Sequence, residues 1–358
     1  MIRTSIALAT FIAATGALTA SAGAVETTTR FEAQGSQSGS LVIASVTDLD
    51  FMQPLISAFQ QSNPGVSVTY IEDTSNSLDA SVSRACADRS FFADLVISSS
   101  IAQQVRLVNG GCAREIGGPV LSSLPAWAQW RGELIGLTYE PAVMVYNKAA
   151  FDEDGPPRSR FDLIDMMRQS DRLNGRIATY DIEESGVGYL FAFQDSTEAS
   201  TWGRLIEGFG RNSVATFCCS SEVIDRVADG RAYVGYNVLG SYAQSRAEKD
   251  PRIGVILPTD YTLVLARAGY IPREARDAGA ARAFLELALS PAGRAILDGE
   301  TRLLTPLSGP DALARLGGGE APALRPIPLS PALLVSLDRA KRARFLSQWR
   351  KSVTLPSP

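Results

Sequence analysis

From Leu41 to Val108, short apolar runs alternate with stretches of helical spacing. Leu41-Val42-Ile43-Ala44 is a continuous apolar run, the pattern of a strand buried on both faces. Phe51, Leu55, Ile56 and Phe59 then mark one face of a helix, which Asn63-Pro64-Gly65 stops. Val66 to Ile71 alternates as a second strand, and Leu78 to Ala87 reads as a second helix. Asp94-Leu95-Val96-Ile97 supplies a third strand ahead of a helix carrying Val105, Leu107 and Val108. Repeated alternation of this kind is the signature of an α/β fold, a mostly parallel sheet with helices on its faces. Such sheets hold ligands beyond the carboxyl ends of their strands.

Two strand-to-helix junctions carry the polar residues that a ligand site needs. Ser98-Ser99-Ser100 follows the third strand directly, where the next helix presents unpaired N–H groups and a partial positive charge. Glu183-Glu184-Ser185-Gly186-Val187-Gly188 repeats the arrangement ahead of Tyr189-Leu190-Phe191. Hydroxyls and amides at such a place can hold an anion or a polar group. Thr47, Ser98, Ser99, Ser100, Ser185, Gly186, Val187, Tyr236 and Asn237 are therefore the candidate ligand contacts, the last two at the end of the run Ala232 to Asn237. The plain alternative for the serines is helix capping. Glu183 and Glu184 offer a carboxylate pair for acid–base work, against the simpler reading that they answer the helix dipole.

The chain begins with Arg3, an apolar stretch from Ile6 to Ala20, and Ala22-Gly23-Ala24, the pattern of a secretory leader cut after residue 24. Residues 25–40 are rich in Ser, Thr, Gln and Gly and read as a flexible lead-in. The rest divides into two lobes, residues 41–138 with 259–358 and residues 139–258. Hinge segments are expected near Thr138 to Pro141 and Leu257 to Asp260. A net charge of −4 argues against nucleic acid as partner, and the absence of His excludes a Ser–His–Asp triad. Four cysteines in an exported chain point to disulfides. Cys86–Cys112 stays within one lobe and leaves the hinge free; Cys218 and Cys219 form a vicinal bridge or remain thiols. Adjacent cysteines without His make a poor metal site, so neither metal nor cofactor is expected.

The order Val42 to Asp48, Asp94-Leu95-Val96-Ile97-Ser98, Val145-Tyr146-Asn147-Lys148, Ser185-Gly186 and Gly235-Tyr236-Asn237 resembles a type II periplasmic substrate-binding protein. The end of the chain, Arg325-Pro326-Ile327-Pro328-Leu329 and Lys341 to Leu346 with Trp349, is similar to the branch of ferric-ion, hexose-phosphate and phosphoglycerate regulatory binders. The resemblance implies a two-lobe clamp without catalysis, working as a monomer in the periplasm with an ABC-transporter permease or a sensor kinase. In that branch paired tyrosines hold ferric ion; here one tyrosine, Tyr236, is followed by Asn237. The matching Ser185-Gly186 turn implies a small anionic metabolite, phosphorylated or carboxylated. Ferric ion is the alternative cargo, and an exported carboxylate-dependent hydrolase a more distant one.

Overall fold

The apolar runs become the strands of two seven-stranded sheets, in a computed structural model that describes residues 27–151, 155–308, 312 and 323–353. The leader assigned to residues 1–24 lies outside the described residues. In chain order the strands are β1 (Thr27–Phe31), β2 (Gly39–Ser45), β3 (Val66–Glu72), β4 (Leu95–Ser98), β5 (Gln129–Trp130), β6 (Leu134–Gly136) and β7 (Glu140–Asn147). They continue as β8 (Ile177–Tyr180), β9 (Ala215–Phe217), β10 (Val234–Leu239), β11 (Ile253–Ile256), β12 (Thr262–Leu265), β13 (Ala268–Tyr270) and β14 (Leu324–Pro326). The helices are α1 (Leu49–Ser62), α2 (Ser75–Ala87), α3 (Ile101–Asn109), α4 (Val120–Ser123), α5 (Arg160–Gln169) and α6 (Gly186–Glu198). Then come α7 (Trp202–Arg211), α8 (Ser220–Ala228), α9 (Gly240–Lys249), α10 (Ala278–Leu289) and α11 (Pro291–Ile296).

The first sheet runs β1-β3-β2-β4-β13-β6-β5, with β2 parallel to both β3 and β4. Met52, Leu55, Ile56 and Phe59 of α1 turn inward, and Phe59 meets Phe284 of α10 edge to face at 5.5 Å. Fully burying side chains of this size stabilises the lobe by about 1.5–3 kcal/mol each. The second sheet runs β14-β12-β7-β10-β8-β9, with β11 beside β7, and here β8 is parallel to β10 and to β9. In both lobes the central parallel strands thus end on the side where the chain turns into helices. The α/β, two-lobe architecture expected from the sequence is the one observed.

Several details differ. Thr27–Phe31 is not a loose lead-in: it pairs antiparallel with β3 from Thr27↔Glu72 to Phe31↔Val68 and closes the sheet edge. The return crossing is also later than expected. β12 pairs with β7 in the second sheet, so the chain re-enters the first lobe at Ala266 and Arg267. There Arg267 O accepts from Leu137 N at 2.8 Å, which ties the two crossings together. The Arg267 guanidinium, 1% exposed, donates to Thr47 Oγ1 and, at 3.2 Å, to Glu140 Oε1. Ser241 Oγ donates to the same Glu140 oxygen at 3.0 Å. A buried ion pair therefore sits where both crossings, the end of β2 and the start of α9 meet.

The C-terminal stretch forms two helices rather than one. Leu334–Leu337 packs on α3 of the first lobe, and after Asp338 the terminal helix Arg339–Val353 packs on α7 of the second. Its Phe345 and Trp349 stack on Trp202 at centroid distances of 5.7 and 6.0 Å. Residues 339–353 thus belong with the second lobe, contrary to the division read from the sequence.

Candidate functional site

Six strand ends face one another across the gap between the lobes. From the first lobe come Val46 and Asp48 after β2, Glu72 to Ser75 at the end of β3, and Ser99 after β4. From the second come Tyr180, Glu184, Ser185 and Val187 at and after the end of β8, Cys218 to Ser221 after β9, and Leu239 with Tyr242 at and after the end of β10. Side chains from these turns line a cavity of about 170 Å³. This is where parallel α/β sheets place ligands, since the turns that leave their strands are free to diverge and leave a crevice.

The lobes touch around the rim. Tyr242 stacks on Phe51 at 4.3 Å and its hydroxyl donates to Asp48 Oδ1 at 2.7 Å. Gly186 N donates to Ser75 Oγ at 2.8 Å, and Asn76 Nδ2 donates to the carbonyls of Glu183 and Glu184 at 3.1 and 2.7 Å. A side chain on Gly186 would start 2.6 Å from Ser100 Oγ and 2.9 Å from Ser75 Oγ, so only glycine permits this approach.

The cavity is acidic. Asp48, Glu72, Asp73 and Glu184 line it, and neither Lys nor Arg stands among its lining residues. Burial pushes the Glu72 carboxyl above the ordinary range, and the neighbouring charges of Asp48 and Asp50 push the same way; a hydrogen bond from Leu49 N, at 2.8 Å, opposes them. Burial likewise raises Tyr180, to about 12, and its hydroxyl is shared with Ser220.

Of the residues singled out from the sequence, Ser99, Ser185 and Val187 line the cavity. Ser100 and Gly186 meet each other at the lobe contact instead. Ser98 is 4% exposed and its hydroxyl accepts from Ser100 N at 3.0 Å, so it braces the turn from within. Thr47 is fully buried; its hydroxyl accepts from Arg267 and its carbonyl from Tyr70 OH. Tyr236 and Asn237 are also misplaced by the sequence reading. Both donate to Asp195 Oδ2 at 2.7 Å, while Arg160 lies 3.0 Å from Asp195 Oδ1 and donates to Tyr236 OH at 2.6 Å. That network is buried inside the second lobe and leaves Tyr236 no hydroxyl for a metal.

Two further expectations fail on geometry. Two of the amides at the start of α6 are not open to an anion: Ser185 Oγ accepts from Gly188 N, and Gly186 N is taken by Ser75. Glu183 and Glu184 do not act as a pair, since Glu183 points out to an ion pair with Arg350 and only Glu184 lines the cavity. The residues missed, Glu72 to Ser75, follow a strand and open a helix, the same signal that picked out Ser98 to Ser100. Cys218 to Ser221 gave no such signal, because the three-residue strand β9 before them is too short to show a period. The expected Cys86–Cys112 bond is present, and Cys218–Cys219 are joined as well.

Among the described residues no group of three or more His, Cys, Asp or Glu is arranged to hold a metal ion. Nor is any described helix long and apolar enough to cross a membrane.

Residues 41–299 match the family model described as a bacterial extracellular solute-binding protein. The substrate-binding protein of an ABC transporter from Agrobacterium tumefaciens is 34% identical, with a TM-score of 0.85 over 92% of this chain and 99% of that one. The fold recurs at 18% identity in AfuA from Actinobacillus pleuropneumoniae, solved with fructose-6-phosphate, with a TM-score of 0.68 over 89% of this chain and 100% of that one. It recurs again at 17% identity in iron-bound HitA from Pseudomonas aeruginosa, with a TM-score of 0.65 over 88% and 99%. No relative was found among curated proteins. The model match, the full-length similarity and the cavity between two sheets agree, and the chain belongs to the bacterial extracellular solute-binding proteins of ABC transporters.

Proposed function

We propose that this protein captures a small organic cation, an amine or quaternary ammonium compound, in the interlobe cleft and delivers it to an ABC permease without chemical turnover. The observation that carries the reading is the lining of the cavity: four carboxylates, the rings of Tyr180 and Tyr242, and no basic side chain. Burial raises Glu72, and the nearby carboxylates of Asp48 and Asp50 add a repulsion in the same direction. A bound ammonium group relieves that repulsion. The anionic metabolite expected from the serine turns meets the opposite field, and Gly186 N and Gly188 N are already bonded. Ferric ion is disfavoured because Tyr236 is engaged with Asp195 and Arg160. Similarity to an ABC-transporter component supports a permease as the partner, ahead of a sensor kinase. Binding draws the lobes together because the solute touches both, and closure is favoured only by the extra contacts of the closed form.

Isothermal titration calorimetry tests this with putrescine, agmatine, spermidine and choline, set against fructose-6-phosphate, citrate and glucose. At least one amine should bind, and Glu72→Gln should weaken it by about tenfold or more, the scale of one charged hydrogen bond. Binding of an anion with no heat from any amine would reject the cationic cargo.

A further inference from the structure

The Cys218–Cys219 disulfide has no architectural task that its position explains. The Cys86–Cys112 bond spans 26 residues and ties the end of α2 to the segment after α3. A bond between sequence neighbours closes no chain loop and removes almost no freedom from the unfolded chain. Its effect is confined to the turn between β9 and α8, and that turn is a wall of the solute cavity. Both cysteines line the cavity, with Asp73, Thr74 and Ser75 among the residues of the opposite lobe. Cys218 Sγ lies 3.6 Å from Glu222 Oε2, and Cys219 is the residue that precedes the first turn of α8.

As a disulfide the pair is a rigid, polarisable surface without a hydrogen-bond donor. As a dithiol it becomes two rotatable side chains with weak S–H donors. We propose that the Cys218–Cys219 disulfide is a solute-contacting wall of the cleft, and that its reduction weakens capture. This rests on the cleft as the solute site, and it assigns the alkyl part of an organic cation to the sulfur surface. The reductant is an exported C-x-x-C dithiol. One of its thiolates attacks a sulfur of the pair to give a mixed disulfide, which its second thiol resolves. The reductant leaves as a disulfide, two electrons pass to the pair, and Cys218 and Cys219 each end with one proton. Both cysteines are part-buried with the lobes in contact, and opening would bare more of the wall, so the open form is the one reduced faster.

The full chain is treated with dithiothreitol until mass mapping of alkylated cysteines shows Cys218 and Cys219 modified and Cys86 and Cys112 still joined. Affinity for whichever of putrescine, agmatine, spermidine or choline binds the oxidised protein should fall about tenfold. Cys218→Ser/Cys219→Ser should match the reduced protein and no longer respond to reductant. Unchanged affinity after reduction overturns the proposal. If none of the four amines binds, the cationic cargo is what has failed, and reduction rates then decide the disulfide's role. Gly186→Val, which holds the lobes apart, should be reduced at Cys218–Cys219 several-fold faster than the parent, and equal rates overturn the proposal.

Discussion

Glu72 and Gly186 show how single residues tune the clamp in opposite senses. Glu72 is held above the ordinary carboxylate range by burial and by Asp48 and Asp50. The folded state therefore binds its proton more tightly than the unfolded chain, and stability falls as pH rises through that raised value. Glu72→Gln should consequently melt higher than the parent at neutral pH, with the gain disappearing below the usual carboxylate range; thermal melts across pH check this. The same group must be ionised to hold an ammonium ion, so parental affinity for a bound amine should drop as the solution is acidified, and calorimetry at several pH values reads it. Gly186 acts through shape. A valine there meets Ser100 and Ser75 in the closed form, and overpacking of this kind costs about 1–3 kcal/mol. Closure should be penalised while each lobe stays folded, so affinity falls by about 5- to 150-fold with little change in melting temperature. The sequence pointed to Ser99, Ser185 and Val187 because serines at strand ends are locally visible. It misled at Tyr236 and Asn237 because Asp195 and Arg160, which bind them, are 41 and 76 residues away from Tyr236 along the chain.

At the level of elements, periodicity revealed most of the strands and helices, since each buries one face or both. Short or edge elements escaped. β1, β9, β13 and β14 span 3 to 5 residues, too few to establish a repeat, and they exist because a longer strand is already there to pair with. The terminal helix was legible as a helix but not as part of the second lobe, because only the packing of Trp349 and Phe345 on Trp202 shows where it goes. The Cys86–Cys112 bond joins α2 to the segment after α3 across a 26-residue span. Replacing both by serine should cost about 2–4 kcal/mol in urea unfolding, with solute affinity per folded molecule retained.

For the whole molecule the decisive group is the ion pair at the two crossings. Arg267 and Glu140 are both 1% exposed and lie on the two crossings. Arg267→Met leaves Glu140 charged and unpaired in the interior, a loss of about 3–5 kcal/mol. The double variant Arg267→Met/Glu140→Leu should recover most of that loss in the same denaturation measurement, because no isolated charge remains. Two lobes could be anticipated from two helix-start junctions, but the sign of the cleft could not: Asp48, Glu72, Asp73 and Glu184 are scattered over 137 positions and become neighbours only when both sheets have formed.

The break at Asp338 bears on how the two bodies are joined. Leu334–Leu337 grips one body and Arg339–Val353 the other, so the tail is a strap bolted to both sides of the pivot. Beside the paired crossings at Leu137 and Arg267, it adds another connection between the two bodies.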